Sequence, residues 1–268
     1  MHAYLALLRK VTTDGECVMT RNGMTRRLLG QSLALFDINR TFPILTTRRI
    51  FYRPVLGELA AFMRGATGLD TFHHFGCYYW DANAAAWGNK HSVGRIYGAQ
   101  WRSWENQYGG GIDQIDDALG LYRSSPESRA NLVTAWSPSE LREMCLPPCH
   151  FAFQLHNQDG GMSMTVYMRS VDVCLGLPSD MILYAALLLM LARDAGTKAN
   201  NLFFQFGDCH VYENHVEQAY EQLERAPLPQ PAPTLGEGYT NCNCFEPAQL
   251  NLDFYVYREG AINYVFNV

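Results

Sequence analysis

The sequence predicts an α+β domain in which helices flank one large mixed sheet. Stretches with strand periodicity and stretches with helix periodicity intermix along the chain without a regular βαβ repeat, which favours this class. The chain has 268 residues, of which 48% are hydrophobic, so it can fill a substantial core. We therefore expect residues 1–268 to form a single domain.

The first elements are predicted from apolar spacing and from the residues that end them. Residues 4–11 place their apolar side chains on one face of a helix, which Gly15 ends. Residues 33–42 look extended, and Pro43 marks the end of that segment. A second helix is predicted over residues 54–63, because a proline is well tolerated in the first turn of a helix.

The middle of the chain predicts one helix followed by three strands. The apolar face of that helix carries Ile112, Ile115, Leu119 and Tyr122. A short strand is predicted over residues 132–136. Residues 150–156 and 162–168 alternate in the manner of strands, and the sequence Asp-Gly-Gly at 159–161 predicts the turn between them.

The last third of the chain predicts a long apolar helix over residues 178–193 and a strand over residues 202–206. A helix is predicted over residues 211–224 and a final strand over residues 250–257, with a proline-rich loop or extended edge at 227–233. The apolar faces of these elements exceed what one small core needs. We therefore expect one face of the sheet to lie at a dimer interface.

The charge balance argues against a general nucleic-acid binder. Lys and Arg number 21 against 26 Asp and Glu, which gives a net charge of −5 and a pI near 5.9. Local groups of arginines are still able to bind a small anion. No nucleic-acid partner is therefore expected.

No segment has the pattern of a membrane span. The longest apolar stretch, residues 181–192, is too short for a span, which needs roughly 20 residues, and predicts a buried helix. The first residues lack the basic start, apolar middle and cleavage site of a signal peptide. We expect a cytoplasmic protein without a membrane partner.

The cysteines predict reduced thiols and no metal site. All eight are expected to be reduced in the absence of a signal peptide. Cys242 and Cys244 are too close for a C-x₂-C zinc knuckle, and Cys145 and Cys149 have no matching second pair.

Three short segments carry side chains suited to chemistry. Cys149 follows two prolines, so it stands on a stiff segment, although most buried cysteines are inert packing. A thiol is activated by nearby positive charge, and Arg169 with Ser170 supplies a guanidinium and a hydroxyl that also suit a phosphate. His210 and Tyr212 are able to bind a sugar hydroxyl, or to serve as polar groups of the core.

The combination of these segments resembles the thymidylate synthase family. The downstream blocks that carry the resemblance are Pro148-Cys149-His150, Tyr167-Met168-Arg169-Ser170-Val171-Asp172, Gly176-Leu177-Pro178 and Gly207-Asp208-Cys209-His210-Val211-Tyr212. The upstream blocks are Thr46-Thr47-Arg48-Arg49, Gly57-Glu58-Leu59, Trp80-Asp81, Ile96-Tyr97-Gly98, Gln100-Trp101-Arg102, Ser128-Arg129 and Ala135-Trp136. The similarity extends from about residue 4 to residue 257.

This resemblance implies a single domain of that family's fold and a symmetric homodimer. It also implies a pyrimidine nucleoside monophosphate as substrate and methylenetetrahydrofolate as the carbon donor. Cys149 matches the nucleophile that adds to C6 of the pyrimidine, because C5 is a poor carbon nucleophile until a thiolate has added. Arg129 matches the arginine that each subunit donates to its partner's site.

The remaining roles are carried over residue by residue. The matches to phosphate ligands are Arg21, Arg169 and Ser170, and those to ligands of the sugar 3′-hydroxyl are His210 and Tyr212. Glu58 matches the carboxylate that organises water and proton transfer, and Tyr97 matches the residue linked to removal of the C5 proton. The matches to folate contacts are Asp172, Trp80, Arg48 and, in a lid at the C-terminus, Val268.

The informative departure from the family follows Gly176-Leu177-Pro178. Thymidylate synthases carry Phe-Asn there, whereas this chain has Ser179 and Asp180. The family asparagine accepts from N3–H of uracil and donates to O4, and cytosine reverses both groups. An aspartate suits cytosine, because one oxygen accepts from the 4-amino group and the other shares a proton with N3. The same substitution marks the dCMP-acting branch of the family, which belongs to phage-type nucleotide metabolism. A phage-encoded protein of this branch is expected in the host cytoplasm.

Two interpretations of Asp180 stay open. An ionised Asp180 would face the O4 lone pairs of uracil without a donor, which suffices for roughly 100-fold discrimination against dUMP. Alternatively, Asp180 caps the helix that follows, since Pro-Ser-Asp is also a plausible helix start. The chain would then be an unusual thymidylate synthase that uses dUMP.

Other departures concern the anion sites and the folate. Ala130 follows Arg129 where many family members have a second arginine, and Phe51 stands where a histidine is usual. Arg48 replaces a common lysine and keeps a positive charge for the glutamate tail. The C-terminal residues lack the usual small apolar ending, so the detail of a lid is open.

Two products branch from one intermediate with an exocyclic methylene. Hydride from the folate gives 5-methyl-dCMP and dihydrofolate, whereas attack by water gives 5-hydroxymethyl-dCMP and tetrahydrofolate. The retained synthase blocks favour methylation slightly over hydroxymethylation. The sequence does not exclude a ribose, so CMP also stays open. A non-catalytic RNA-binding relative is disfavoured by the presence of Cys149 and Glu58, and a zinc deaminase by the missing P-C-x-x-C pattern.

Overall fold

A seven-stranded sheet forms the centre of the computed structural model, which describes residues 1–106 and 109–266. The strands of the described residues, in chain order, are β1 (Glu16–Thr20), β2 (Gly23–Leu29), β3 (Ser32–Leu35), β4 (Trp104–Glu105), β5 (Gly111–Ile112), β6 (Leu132–Thr134), β7 (His150–Gln158), β8 (Gly161–Asp172), β9 (Ala199–Tyr212), β10 (Pro233–Leu235) and β11 (Leu250–Leu252). The order in the large sheet is β1-β2-β9-β8-β7-β6, and β3 pairs with the first part of β9.

The sheet is mixed, as the sequence predicts. Strands β8 and β9 pair in parallel, whereas the other neighbouring strands of the large sheet pair antiparallel. A parallel pair needs a long crossover, and the helix over residues 176–194 supplies it. The register of this pair brings Ser170 beside Asp208 and Asp172 beside His210. The end of the parallel pair therefore collects polar side chains from two predicted site segments.

Helices pack against the sheet and against one another. They are α1 (His2–Asp14), α2 (Tyr52–Met63), α3 (Leu69–His74), α4 (Asp81–Trp87), α5 (Tyr97–Arg102), α6 (Gln114–Ser124), α7 (Gly176–Asp194) and α8 (Val216–Glu224). Helix α7 has the length and apolar composition of a membrane span, but 78% of its most apolar window is buried inside the protein. It packs against α2, β8 and β9, so it is the core helix that the sequence predicts.

The predicted elements are largely present. Strands β7, β8 and β9 extend beyond their predicted ends, whereas the strand predicted over residues 132–136 ends at Thr134. The hairpin of β7 and β8 turns at residues 159–160, where Asp159 and Gly160 adopt positive φ of 50° and 69°. Helix α1 ends at Gly15, and α2 begins two residues before its proline. The strand predicted over residues 202–206 is the centre of β9.

Two predicted boundaries in the first half of the chain are wrong, each because of a local interaction. Ile112 lies in β5 rather than on α6, because the Asp113 side chain accepts from the backbone of residues 115 and 116 and starts the helix there. The extended segment predicted over 33–42 ends as a strand at residue 35, since Asp37 adopts φ of 55° and its carbonyl accepts from residues 40 and 41.

Two further boundaries differ near the C-terminal end. The helix predicted over 211–224 begins at Val216, because β9 continues to Tyr212 through its pairing with β2. The strand predicted over 250–257 ends at Leu252, since Phe254 adopts φ of 59° and turns the chain. The residues after this turn return across the folded protein, and the Tyr255 hydroxyl donates to the carbonyl of Leu45 at 2.8 Å.

Candidate active site

The Cys149 thiol lies at the start of β7, where three other segments meet. The Arg169 backbone nitrogen donates to the Cys149 carbonyl, which sets the two residues side by side on neighbouring strands. The Arg169 guanidinium donates to the carbonyls of Pro147 and Pro148 at 2.8 and 3.0 Å. Its Nη2 lies 3.7 Å from Cys149 Sγ. The stiff proline segment is therefore fixed by the same arginine that faces the thiol.

Opposing influences act on the pKa of the Cys149 thiol. Burial is the largest and raises the pKa. The charge of Arg169 lowers it, the carboxyl of Asp180 raises it, and Arg21 lowers it again. The net pKa is raised, so the protein without substrate favours the neutral thiol. The two arginines limit this rise in pKa and so increase the fraction of thiolate.

Tyr97 packs directly beside the cysteine. Its hydroxyl oxygen accepts a hydrogen bond from the Cys149 backbone nitrogen at 2.9 Å, and its ring stacks on His150 with centroids 4.0 Å apart. A Cβ at Gly98 would lie 2.4 Å from the Phe62 carbonyl oxygen, so only glycine lets α5 approach α2 this closely. This close approach carries the Tyr97 side chain into the site.

Glu58 projects from the buried face of α2 and is only 7% exposed. Its Oε2 accepts from the Tyr79 hydroxyl at 2.6 Å, and its Oε1 accepts from Trp80 Nε1 at 2.7 Å. Burial raises the pKa of Glu58 to about 7, against the two hydrogen bonds, which lower it. A carboxyl with this pKa is able to gain and lose a proton near neutral pH.

Asp180 lies in the first turns of α7 and does not cap that helix. Leu175 is the N-cap residue, no side chain caps it, and Asp180 comes after four residues of the helix. The interpretation of Asp180 as a helix cap is therefore wrong. Among the described residues the carboxyl makes no hydrogen bond, and its Oδ1 lies 3.7 Å from His150 Nε2. Its hydrogen-bonding capacity is therefore not used by the described residues.

The surroundings of Asp180 favour its neutral form. Burial raises its pKa well above the ordinary value, and the charges of Glu58 and Asp172 raise it further. Burial also lowers the pKa of His150 to about 3, so the imidazole is neutral. The Nδ1 of this histidine lies 2.6 Å from the Tyr184 hydroxyl. A carboxyl with a raised pKa and a neutral imidazole therefore lie side by side.

An opening with two arginines lies beside the proline segment that precedes the cysteine. A cavity of about 340 Å³ is lined by Arg21, Arg169, Trp136, Leu146 and Pro147. The structure thus brings together two of the predicted phosphate ligands, which stand far apart in the sequence. Ser170 is half-buried on β8.

Arg129 is exposed on the loop before β6 and does not line this cavity. Its role as the arginine donated to a second subunit stays a prediction.

The predicted sugar ligands lie at the end of β9. The His210 and Tyr212 rings are 5.2 Å apart, and His210 Nδ1 lies 2.7 Å from Asp208 Oδ1. Arg27 Nη1 lies 3.8 Å from the other oxygen of Asp208. An Nδ1–H that donates to Asp208 leaves Nε2 as an acceptor for a hydroxyl. The sequence reasoning missed Asp208, although alternate residues of a strand share a face and the spacing could have indicated it.

Two of the predicted folate contacts, Asp172 and Arg48, make hydrogen bonds to the protein backbone. Asp172 Oδ1 accepts from the backbone nitrogens of Cys174 and Leu175, and Arg48 donates to the Cys174 carbonyl at 2.6 Å. Arg48 is buried, with its guanidinium 5.0 Å from the ring centre of Tyr264. Its contact with a glutamate tail stays a prediction. Val268 lies outside the described residues.

One group of side chains has the spacing of metal ligands. Donor atoms of Asp172, Cys174 and His215 lie within 4.8 Å of one another. However, Asp172 already accepts two backbone hydrogen bonds, and His215 Nε2 lies 2.7 Å from the Val265 carbonyl. Burial and the charge of Asp172 hold the pKa of Cys174 well above its usual value. These contacts disfavour a metal ion there.

The arrangement as a whole suits covalent catalysis on an anionic substrate, because a thiol, two guanidinium groups and a titrating carboxyl converge. The family model described as Thymidylate synthase matches residues 2–267. The chain belongs to the thymidylate synthase family. This family consists of folate-dependent methyltransferases that act on C5 of a pyrimidine nucleotide, with methylenetetrahydrofolate as co-substrate.

Proposed function

We propose that this protein transfers a one-carbon unit from methylenetetrahydrofolate to C5 of dCMP through a Cys149 adduct at C6. The product is 5-methyl-dCMP, and dihydrofolate is released. The observation that carries the choice of base is Asp180, a largely buried carboxyl inside α7 that makes no hydrogen bond among the described residues and acts on the pKa of Cys149. The alternatives are 5-hydroxymethyl-dCMP as product and dUMP as substrate.

The protonation of Asp180 decides which base it pairs with best. A neutral carboxyl donates its proton to N3 of cytosine and accepts from the 4-amino group. It also fits uracil, by donating to O4 and accepting from N3–H. N3 of cytosine is a much stronger base than O4 of uracil, so the proton shared with cytosine gives the stronger, charge-assisted pair. When Asp180 is ionised, a cytosine that is protonated at N3 can still donate to the carboxylate, whereas O4 of uracil has no proton to donate.

The neighbours of Cys149 support the covalent step. The charges of Arg169 and Arg21 stabilise the thiolate that adds to C6, and the same arginines line the opening for the 5′-phosphate. Because the same two arginines contact the phosphate, a bound nucleotide would be held with its pyrimidine ring close to the Cys149 thiol. Addition at C6 makes C5 nucleophilic toward the folate carbon.

The environment of Glu58 supports methylation over hydroxymethylation. Each of its oxygens accepts a hydrogen bond from a side chain, Tyr79 on one and Trp80 on the other. A carboxyl held in this way has less capacity to bind and activate a water molecule for attack on the methylene. Trp80 is only 6% exposed, which also restricts water at this side of the site.

The experiment that tests the proposal uses purified protein with dCMP and methylenetetrahydrofolate. Mass spectrometry of the nucleotide and quantification of the folate product are made on the same sample. One methyl group gained per dihydrofolate formed supports the proposal. A hydroxymethyl group with tetrahydrofolate supports the first alternative, and product from dUMP alone supports the second.

The homodimer is also a proposal. Arg129 is exposed and does not line the cavity of its own chain, as expected of a residue that acts in a second subunit. Exposed apolar side chains lie on the large sheet at Met19, Leu29 and Leu132. A sheet face covered by a second copy would bury such groups.

A further inference from the structure

Tyr79 contacts the Glu58 carboxyl, and the proposed function uses this contact only as a limit on water, not as a control of the ionisation of Glu58. Its hydroxyl donates to Glu58 Oε2 at 2.6 Å, while the neighbouring Trp80 donates to Oε1 at 2.7 Å. Two consecutive residues therefore occupy the two oxygens of one carboxyl. A carboxyl that accepts a hydrogen bond at each oxygen cannot rotate without breaking one of them.

The backbone conformation near Glu58 places both hydrogen-bond donors beside its carboxyl. A Cβ at Gly57 would lie 2.2 Å from the Phe75 carbonyl oxygen, so the turn after α3 runs directly against α2. Gly76 adopts a positive φ of 78° and turns the chain toward α4, for which Trp80 is the N-cap residue. The two donors are thus fixed by a tight turn and by the start of a helix.

The hydroxyl of Tyr79 is buried, although the residue is 41% exposed. The ring therefore lies with one side toward solvent and its polar end toward Glu58. The neighbouring Tyr78 is 59% exposed and stacks on His73 with centroids 4.8 Å apart. The chain thus offers two adjacent tyrosines, of which Tyr79 hydrogen-bonds to the carboxyl and Tyr78 stacks on a histidine.

We propose that Tyr79 is a positioning residue for Glu58, whose carboxyl it holds in one orientation and stabilises as a carboxylate through a charge-assisted hydrogen bond. The inference rests on the proton-handling role of Glu58 in the proposed function. Hydrogen bonds to an ionised acceptor are about twice as strong as those between neutral groups. Loss of the Tyr79 hydroxyl alone should therefore change the ionisation of Glu58 measurably.

Among the groups that act on the pKa of Glu58, only Tyr79 and Trp80 stabilise its carboxylate. Cys77, Asp180 and Tyr184 all interact with the charge of Glu58, and burial is the largest cause that raises the pKa of each. None of these three groups can carry a positive charge, so none supplies a countercharge to the Glu58 carboxylate. The hydrogen bonds from Tyr79 and Trp80 are the influences that lower the pKa of Glu58 against the effect of burial.

The first measurement follows Glu58 directly and needs no turnover. The Glu58 side-chain carboxyl is followed by ¹³C NMR in glutamate-labelled protein and assigned by its loss in Glu58→Gln. Tyr79→Phe should raise the pKa of Glu58 by about one unit, whereas the matched control Tyr78→Phe should leave it unchanged. An unchanged pKa in Tyr79→Phe would overturn the inference. This result stands whichever nucleotide the enzyme uses, so it separates the inference from the proposed function.

The second measurement is the pH profile of turnover. In Tyr79→Phe the acidic limb should move up by about one unit, so that turnover falls about 10-fold near pH 6 and recovers near pH 9. Equal loss at every pH would show that Tyr79 serves only to support the fold. Should Tyr79→Phe fold poorly, 3,5-difluorotyrosine at position 79 keeps the ring and donates more strongly. It should shift the Glu58 pKa downward, and a shift upward or none would contradict the inference.

Discussion

The guanidinium of Arg169 lies 3.7 Å from the sulfur of Cys149 and also donates to the carbonyls of the two prolines before it. One side chain thus fixes the segment that carries the thiol and supplies the charge that stabilises its thiolate. The charge and the scaffold contribution can be separated, because lysine keeps the charge and methionine keeps only the length.

We predict that Arg169→Met raises the pKa of the Cys149 thiol by about one unit or more, whereas Arg169→Lys raises it less. The reason is the loss of the charge that opposes burial. The measurement is the rate of alkylation of Cys149 against pH, read by peptide mass spectrometry. The exposed Cys17 and Cys244 serve as internal controls. Equal thiol pKa values in both variants would contradict the electrostatic role.

We predict that Arg21→Ala weakens nucleotide binding about 10- to 100-fold, with a smaller effect on turnover at saturation. Arg21 lines the opening beside Arg169 and donates to a phosphate in the proposed complex. Calorimetric titration with dCMP and with its nucleoside measures the effect. In the variant the affinity difference between nucleotide and nucleoside should shrink by the same factor, since Arg169 remains, whereas Arg40→Ala, at a largely exposed arginine, should keep the full difference. Unchanged affinity would place the phosphate elsewhere.

We predict that the preference for dCMP over dUMP increases with pH. The pKa of Asp180 is raised by burial and by Glu58 and Asp172, so the carboxyl is neutral at low pH and accepts either base. As the pH rises through this pKa, dUMP loses its donor, whereas cytosine N3 retains the shared proton to higher pH. The ratio of kcat/KM values for the two nucleotides is measured over the whole pH range in which the protein stays folded. A constant ratio would show that Asp180 does not set the preference through its proton.

We predict that an inactive Cys149→Ser protein and an Arg129→Ala protein restore activity when mixed. In a mixed dimer, one site combines an intact cysteine with the arginine of the other subunit. Random mixing should give roughly one quarter of wild-type activity, since half of the dimers are mixed and one of their two sites is complete. The assay uses nucleotide below its KM, where Arg129→Ala alone is weak. No gain on mixing would contradict the donated arginine.

Much of the fold follows from local patterns, and the errors have local causes. The hairpin of β7 and β8 and the core helix α7 were predictable, because alternation and apolar spacing are properties of one segment. The true start of α6 depends on the Asp113 side chain, and the end of β3 on the positive φ of Asp37. Such effects of single residues are invisible to an apolar pattern.

The candidate site was predicted from motifs, but its contacts were not. Motifs named Cys149, Arg169 and Glu58, whereas the contact of Glu58 with Tyr79 spans 21 residues and depends on how closely the turn after α3 approaches α2. The sequence also left Asp180 between a base-reading role and a helix cap. Only the position of the α7 N-terminus removes the second interpretation.

The most direct test of the proposed function is a competition between dCMP and dUMP, with Asp180→Asn and the control Ser179→Ala beside the wild-type protein. We predict that the wild-type protein and Ser179→Ala modify dCMP preferentially. In Asp180→Asn the ratio of kcat/KM values should shift toward dUMP by roughly 100-fold. A wild-type protein that prefers dUMP, or a ratio that Asp180→Asn leaves unchanged, would contradict the assignment of cytosine.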